Sequence, residues 1–244
     1  MRHRTHPPVS CPAREPKMEL DGIFIDFYGT LTAGDRAAVE SVCERIVREN
    51  GVPISAYELS VTWGERFFHA LDFANGDGFL TLFDVEVKTL RETMKELGVE
   101  VDAETYARQL KQYWENPPLQ PEVRAFLAAV RYPLCIVSNA DRADIDRALE
   151  RKEIRVDHII TSEEARSYKP DREIFERALE HTGWRRDRVI HVGDSLHSDI
   201  GGAIIAGIRN AWLNRAHRIH DIGTHQPDHE FEDLMGLVRL IQAH

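Results

Sequence analysis

Short apolar segments alternate with longer helical patterns along this chain of 244 residues. Five segments have the composition of short buried strands, at positions 23–27, 134–137, 158–161, 189–192 and 210–213. Helical periodicity occurs next to them, at 122–131, 142–150, 172–181 and 198–206. Short apolar strands that alternate with helices form a parallel sheet covered on both faces. The pattern therefore predicts an α/β fold built on a parallel sheet.

The segment from 35 to 118 has a different pattern, with four helical runs and no convincing strand. The runs are 37–50, 56–73, 79–97 and 103–114, and glycine-rich turn signals separate them. We predict a helical cap domain over 35–118, inserted into a core domain made of 18–34 and 119–244. Such a lid would exclude water from a site at the strand ends and select substrates. Residues 1–17 are rich in Pro, Arg and His, and we predict a disordered tail there.

Charge and composition limit the classes of partner. The formal net charge is −10, which argues against a nucleic-acid or anionic-membrane surface but permits a locally positive pocket. No apolar run approaches the roughly 18–20 residues of a membrane span. The three cysteines are far apart and lack metal-ligand spacing, which favours a cytoplasmic setting. We expect a small anionic molecule as substrate, and a homodimer remains open.

Polar residues follow three of the predicted strands at the point where each strand ends. Asp26 ends the first strand, Ser138 and Asn139 end the second, and Asp194 follows the fourth. Ligand sites of open parallel sheets form outside the carboxyl ends of the strands. We therefore expect these four side chains to meet in one site.

The residue types at these positions suit displacement chemistry. A carboxylate such as Asp26 can act as a nucleophile and divide one hard displacement into two easier steps. Hydroxyl groups such as those of Thr30 and Ser138 can hold the anionic oxygens of the group under attack. Lys169 can offset the charge of the nucleophile and of the substrate.

Two further carboxylates, Asp194 and Asp199, are expected near Asp26. They would repel Asp26 unless a cation lay between them, and hard oxygen ligands suit Mg²⁺. The sequence thus predicts magnesium as the cofactor. Asp199 has a second interpretation, because a carboxylate at the start of the helix at 198–206 would also offset the helix dipole.

The ordered set of motifs resembles the haloacid dehalogenase superfamily of hydrolases, most of which are phosphatases. The four matching motifs are Asp26-Phe27-Tyr28-Gly29-Thr30-Leu31, Ser138-Asn139, Lys169-Pro170, and Gly193-Asp194-Ser195 through Asp199. The resemblance covers roughly residue 20 to the C-terminus. It implies a Rossmann-like, doubly wound core with a helical-bundle cap after the first strand.

The resemblance also implies a role for each matched residue. Asp26 would be the nucleophile, Thr30 and Ser138 would position the transferred group, and Lys169 would offset charge. Asn139 belongs to the same catalytic set. Asp26 and Asp194 would bind the metal together with the main-chain carbonyl of Tyr28, and Asp199 would be a further ligand or lie just behind the others.

Tyr28 departs from the phosphatase pattern, which has a second Asp at this position as the acid–base group. A tyrosine near its reference pKa of about 10 is protonated at neutral pH and is a poor general base. Losing a positioned acid–base group typically costs about 10²–10⁴ in rate. A Tyr at this position is usual in the L-2-haloacid dehalogenase branch, where the halide leaving group needs no proton. Alternatively, the Tyr28 ring is structural and only its carbonyl acts.

The fourth motif favours a phosphatase. The dehalogenase branch shares a closing segment with this chain, here Trp212-Leu213-Asn214-Arg215, but lacks the magnesium aspartate. Asp194 without a counter-charge would repel an anionic substrate by several kcal/mol in a partly dry site. We therefore give the metal signal more weight than Tyr28.

Aromatic residues recur at helical spacing within the predicted cap: Trp63, Phe67 and Phe73, with Arg66 and His69 between them. Such a stripe is more typical of a cap core than of a substrate pocket. Arg66 is the cap residue to test for a contact with a substrate anion, because dehalogenases use a cap arginine.

Three functions follow from these observations. The first is a magnesium-dependent phosphatase of a small phosphorylated metabolite that acts through an aspartyl-phosphate on Asp26. The second is a metal-independent hydrolase of L-2-haloacids that acts through an ester on Asp26. The third, motivated by the missing acid–base group, is a weakly active protein that binds a phosphorylated ligand.

Overall fold

The computed structural model describes residues 19–218 and 225–243, so the predicted tail at 1–17 lies outside the described residues. Six parallel strands form one sheet in the order β3-β2-β1-β4-β5-β6. They are β1 (Gly22–Ile25), β2 (Leu134–Ser138), β3 (His158–Thr161), β4 (Val189–Gly193), β5 (Arg209–Leu213) and β6 (His229–Phe231). The predicted α/β fold is confirmed, and β1 lies inside the sheet between β2 and β4.

Side chains alternate across the sheet as the strand period of two requires. Ile23 and Ile25 of β1 pack with α5 (Val123–Ala129), α6 (Arg142–Lys152) and α10 (Leu234–Ala243). Phe24 points to the opposite face, where its cluster draws on α8 (Arg172–Thr182) and α9 (Gly202–Ala206). Both faces of the sheet are therefore covered by helices, and each fully buried side chain of this size contributes roughly 1.5–3 kcal/mol.

The cap helices lie between β1 and β2 in the chain. They are α1 (Asp35–Asn50), α2 (Ala56–Phe73), α3 (Leu82–Glu96) and α4 (Ala103–Trp114). They share an apolar cluster of their own, which includes Cys43, Ile46, Trp63, Val85 and Leu110. The segments that connect cap and core run side by side through an antiparallel bridge between Thr32 and Leu119. The domain boundaries at 35 and 118 remain a prediction.

Two helix starts differ from the sequence expectation for local reasons. The run predicted from 79 begins at Leu82, because the Thr81 side chain accepts a hydrogen bond from the Asp84 N–H and caps the helix. The helix predicted at 198–206 is instead a π-helical turn over Leu196–Gly201 that continues into α9. Such turns are frequent at functional sites.

The sequence analysis missed β6. This strand has three residues, none of them fully buried, and it pairs with β5 at the edge of the sheet. A short, half-exposed edge strand lacks the apolar run by which the other five were recognised. A four-residue helix, α7 (Ser162–Ala165), completes the α-helices of the described residues, and 3₁₀ turns occur at Gly76–Gly78 and Arg186–Arg188. No helix within the described ranges is both long and apolar enough to cross a membrane.

Candidate functional site

Asp26 follows β1 directly and lies at the carboxyl edge of the sheet, with 5% of its surface exposed. Its backbone N–H donates to the Val192 carbonyl of β4 at 2.9 Å, and Ser138 Oγ of β2 donates to Asp26 Oδ1 at 2.9 Å. Burial raises the pKa of Asp26, although Lys169 and Ser138 oppose the shift. β4 thus holds the Asp26 backbone, and β2 holds its carboxylate. No side chain in the described ranges donates to its Oδ2 atom, which is therefore available for attack.

Lys169 supplies a buried positive charge beside this carboxylate. Its Nζ donates to Asp26 Oδ1 at 2.7 Å, to Asp199 Oδ1 at 2.7 Å and to the Val137 carbonyl at 2.8 Å. Burial alone would lower the pKa of Lys169, but Asp199 and Asp26 outweigh it and the net shift is upward. Lys169 is therefore protonated, and all three of its N–H donors are used within the site.

Asn139 holds the Lys169 backbone. Its Nδ2 donates to the Lys169 carbonyl at 3.0 Å, and its Oδ1 accepts from the Lys169 N–H at 2.7 Å. The amide thereby pairs with both polar groups of one residue across the gap between β2 and the segment after α7. This geometry gives Asn139 a positioning role.

Asp199 is enclosed by donors. Oδ1 accepts from Lys169 and lies 3.0 Å from His191 Nε2, while Oδ2 accepts from the Ser195 N–H at 3.0 Å. Although burial opposes the shift, Lys169 and His191 lower the pKa of Asp199 below its usual value. Because this oxygen only accepts, His191 Nε2 carries the proton. Gly193 makes the arrangement possible, since a Cβ there would lie 2.1 Å from Asp199 Cγ.

Asp194 has fewer donors than its neighbours. Thr30 Oγ1 donates to its Oδ1 at 3.3 Å, and a Cβ on Gly29 would lie 2.6 Å from the same oxygen. Enclosure in the site and the negative charges of Asp199 and Asp26 raise the pKa of Asp194 to about 7. Arg218 and Lys169 offset this shift only in part, and the Asp194 carboxylate has no ion pair of its own within the described residues.

The three aspartates form an acidic cluster that could hold a cation. Asp26, Asp194 and Asp199 each offer an oxygen within 4.8 Å of the others. Both oxygens of Asp199 already accept hydrogen bonds, which favours its expected place behind the other two. The carbonyl of Tyr28 accepts no backbone hydrogen bond within the described residues and is the third oxygen available. Such an all-oxygen set suits Mg²⁺.

A cavity of about 920 Å³ opens above this cluster and extends beneath the cap. Its lower end carries Asp26, Lys169 and Asp194, and its upper end is lined by apolar side chains of α1 and α2. Asp35, Glu40 and Glu86 are the acidic residues within its cap wall that sequence reasoning had not singled out.

A family model described as haloacid dehalogenase-like hydrolase matches residues 20–207. The chain belongs to this hydrolase family. The resemblance seen in the sequence is confirmed. The parallel-sheet fold and the site at the strand ends are the features on which that resemblance rested. Every side chain of the strand-end site discussed above, from Asp26 to Asp199, falls within the matched range.

Known relatives of this hydrolase belong to two groups. It is 26% identical over 232 residues to the (S)-2-haloacid dehalogenase of Pseudomonas sp. (strain YL), covering 92% of this chain and 95% of that protein. It is 40% identical over 108 residues to pyrimidine 5'-nucleotidase YjjG of Escherichia coli (strain K12), covering 41% and 48%. The solved L-2-haloacid dehalogenase from Xanthobacter autotrophicus superimposes with a TM-score of 0.75 at 19% identity, covering 91% and 98%. The last likeness concerns the fold alone.

The Tyr28 side chain of the hydrolase is directed at the cap connection. Its hydroxyl donates to the Trp114 carbonyl at the end of α4, at 2.9 Å, and its ring packs edge-on against Phe27. Burial, followed by the charge of Asp144, raises the pKa of Tyr28 above its usual value. Of the two interpretations of Tyr28, this geometry favours the structural one, because the hydroxyl proton is already bound.

Tyr28→Phe therefore tests the interpretation directly. We expect the free energy of unfolding to fall by about 0.5–1.5 kcal/mol, the net contribution of one hydrogen bond. We expect the rate to fall far less than the about 10²-fold that loss of an acid–base group costs. Urea denaturation and steady-state turnover measure the two effects. A large fall in rate without a loss of stability would instead identify the hydroxyl as a catalytic group.

The closing Trp-x-Asn-Arg segment supports the site from behind. Arg215 donates to the carbonyls of Gly29 and Thr30 at 3.0 and 2.9 Å and pairs with Glu122 at 2.6 Å. The Trp212 indole donates to the Asp194 carbonyl at 3.0 Å. These side chains fix the backbone of the first and fourth motifs.

Arg66, the cap residue chosen for a test of contact with a substrate anion, is engaged within the cap. Its guanidinium pairs with Glu96 and Glu92 of α3, and Arg66 is not among the cavity-lining residues. The aromatic stripe also divides, because Trp63 is in the cap core and lines the cavity while Phe73 is 73% exposed. Helical spacing predicted that these aromatic residues share one face of α2, but it did not show which part of that face turns toward the core.

Proposed function

We propose that this hydrolase cleaves small phosphate monoesters with Asp26 as nucleophile and Mg²⁺ as cofactor. The observation that carries the proposal is the charge balance of the site. Three carboxylates converge. Within the described residues, Lys169 is the basic side chain that forms ion pairs in this cluster, and its partners are Asp26 and Asp199. Lys169 is not bonded to Asp194, and the charges of Lys169 and Arg218 offset only part of the negative charge around it, so a further cation would favour binding of an anionic substrate.

The donor set fits magnesium. Asp26, Asp194 and the Tyr28 carbonyl would hold the ion, and Gly29 leaves room beside the Asp194 carboxylate. When bound, Mg²⁺ would offset the negative charge of these carboxylates and of the phosphoryl oxygens.

The residues of the chain account for the covalent step. Asp26 Oδ2 attacks phosphorus, so that an Asp26–phosphorus bond forms as the bond from phosphorus to the ester oxygen breaks. Ser138 and Lys169 keep Oδ1 occupied and orient Oδ2 toward the cavity. Water then attacks phosphorus, inorganic phosphate leaves and the carboxylate is restored.

The acid–base group that Tyr28 does not supply is, in this proposal, Asp35. Asp35 is the first residue of α1 and lines the cavity from the side of the cap. It is reached by solvent through the cavity, yet cap and core surround it, and this enclosure together with the charge of Asp26 raises its pKa. A carboxyl group of raised pKa that lines the same cavity as the nucleophile can protonate a leaving alkoxide.

Asp35→Asn tests that assignment through the leaving group. We expect kcat/KM for n-propyl phosphate, whose alkoxide needs a proton, to fall about 10²-fold or more. The fall for p-nitrophenyl phosphate should be much smaller, because p-nitrophenolate leaves unprotonated. Asp77→Asn, on an exposed cap turn, is the control. Equal losses with both esters would contradict the acid role.

A second candidate is metal-independent hydrolysis of L-2-haloacids. Tyr28 and the full-length similarity to the dehalogenase of Pseudomonas favour it. The only partly compensated charge of Asp194 opposes it, since a haloacid would bring another negative charge to the same place. The third function, binding of a phosphorylated ligand with little turnover, applies if Asp35 does not replace the missing aspartate.

One paired assay separates the candidates. We expect phosphate release from p-nitrophenyl phosphate with Mg²⁺, loss of that activity in EDTA, and no chloride release from L-2-chloropropionate. Asp194→Asn should raise the Mg²⁺ concentration required for half the maximal rate, and the exposed Asp187→Asn should not. Metal-independent chloride release would overturn the proposal. No turnover of either compound, with thermal stabilisation by phosphate esters, would support the binding protein.

A further inference from the structure

Glu86 is a buried acidic residue that the mechanism above does not use. It lies on the inner face of α3 beside Leu82, Val85 and Leu90, and 6% of its surface is exposed. That exposed part faces the cavity beneath the cap. Throughout the ranges that the structure describes, its carboxyl group has neither a hydrogen-bond donor nor a basic partner.

Such a group is costly without a partner. Removing a carboxylate from water without a hydrogen bond or counter-charge is strongly unfavourable. Asp35 makes the cost larger, because its negative charge acts on Glu86 across the cavity. Burial and Asp35 raise the pKa of Glu86 well above its usual value. Since packing of α3 needs no carboxylate here, a ligand from outside the chain would account for the group.

The walls around Glu86 suit an organic cation. Besides Tyr28 at the core end, five aromatic residues of the cap line the cavity: Tyr57, Trp63, Phe67, Phe68 and Trp114. The Trp63 indole N–H donates to Thr89 Oγ1 at 3.0 Å, one turn from Glu86, so the polar edge of this ring is already bound within the cap. Aromatic faces attract ammonium groups, most strongly where water is excluded.

The basic residues that line the cavity are engaged elsewhere. Lys169 is bonded to Asp26 and Asp199, and Arg215 is bonded to the backbone of the first motif. Arg36 pairs with Glu40, and Arg218 donates to the Asp194 carbonyl. In the described part of the chain, the cap end of the cavity is therefore acidic and aromatic, whereas the core end carries Lys169.

We propose that the phosphate ester cleaved at Asp26 carries an ammonium group on its alcohol, and that Glu86 binds this group beneath the cap. This inference rests on the proposed function for the phosphate end of the substrate. Asp35 interacts electrostatically with both Asp26 and Glu86, which is consistent with an order of nucleophile, acid and cation site along the cavity. The substrate class is a short amino-alcohol or quaternary-ammonium phosphate monoester.

The test compares esters that differ in charge but not in shape. Phosphocholine and 3,3-dimethylbutyl phosphate have the same leaving-group outline, with nitrogen replaced by carbon in the second. We expect kcat/KM to favour phosphocholine by about thirtyfold, the ratio that a desolvated cation site supplies. Glu86→Gln should abolish the preference. Glu92→Gln, on the outer face of the same helix, should keep it.

Two further measurements, turnover of p-nitrophenyl phosphate and binding of choline, distinguish failure of this inference from failure of the proposed function. If p-nitrophenyl phosphate is hydrolysed but the two matched esters are cleaved equally well, the inference is overturned and the proposed function stands. The same holds if Glu86→Gln retains the preference. If no ester is hydrolysed, the proposed function fails, and calorimetric titration of choline decides the cation site. Choline binding to the wild type but not to Glu86→Gln would support the site, and absence of binding would overturn it.

Discussion

Asp26→Asn abolishes turnover while the protein remains folded. An amide is not a nucleophile toward phosphorus, so we expect kcat to fall by at least about 10⁴-fold. The asparagine Oδ1 can still accept from Ser138 and Lys169, as the aspartate does at 2.9 and 2.7 Å. The substitution also removes one negative charge from a cluster of three carboxylates. The loss of activity therefore reports on chemistry rather than on folding.

The measurement is phosphate release from p-nitrophenyl phosphate in excess Mg²⁺, with the circular dichroism melting curve recorded on the same sample. Asp187→Asn is the matched control, because Asp187 is exposed and pairs with Arg185 in its own turn. Intact-protein mass spectrometry after rapid acid quench should detect a phosphorylated species in the wild type and none in Asp26→Asn. A variant that kept the phosphorylated species would place the nucleophile on another residue.

Much of the site could be predicted because its residues sit at strand ends. In a parallel sheet the carboxyl ends of neighbouring strands meet at one edge, so Asp26, Ser138 and Asp194 had to be close. The register fixes this geometry, since Ile25 pairs with Ile136 on one side and with Val192 on the other. Local patterns that recur along the chain were enough to infer both strand positions and their common edge.

Residues that act across the chain could not be inferred in the same way. His191 is a strand residue whose role depends on contact with Asp199 eight positions later, around a π-helical turn. Arg215 reaches the first motif across more than 180 residues of chain. The pairing of Arg66 with Glu92 and Glu96 could not be foreseen, because spacing alone does not determine the rotation of a helix about its axis. Tertiary packing, rather than local propensity, determines the contacts of each of these three side chains.

The role proposed for Glu86 could be predicted only in part from the sequence. It falls on the same helical face as Leu82, Val85 and Leu90, all of which are buried. An acidic residue within an apolar helical period is a signal that the sequence contains. Its significance depends on the cavity, which forms only when the cap helices close over the strand ends.

Lys169→Met destabilises the folded protein more than any surface substitution. Its Nζ joins Asp26 and Asp199 at 2.7 Å each, and all three side chains are buried. Breaking a buried ion pair from one side leaves uncompensated charge and costs about 3–5 kcal/mol. We expect that loss at pH 7 in urea denaturation, with EDTA present so that no divalent cation replaces the lysine. Arg172→Met, which breaks an exposed pair with Glu176, should cost less than about 1 kcal/mol.

The pH dependence of this effect has a definite sign. Without Lys169, the folded-state pKa values of Asp26 and Asp199 rise above the unfolded value of about 3.9. The folded variant then binds more protons than the unfolded chain, so its free energy of unfolding falls as pH rises through that interval. In the wild type, Lys169 and His191 hold the pKa of Asp199 low despite its burial, so this carboxylate adds stability above about pH 4. The difference between variant and wild type should therefore shrink as pH is lowered toward 4.

A second substitution separates charge from packing. Asp199→Asn removes one of the two carboxylates that Lys169 compensates, so in the Lys169→Met background it should recover part of the lost stability. The same substitution in the wild type should be destabilising, because it breaks an intact pair. The resulting coupling in the double-mutant cycle measures the Lys169–Asp199 interaction itself. Additive effects would mean that the lysine stabilises the site through its buried methylene chain, and that its charge is balanced by other groups.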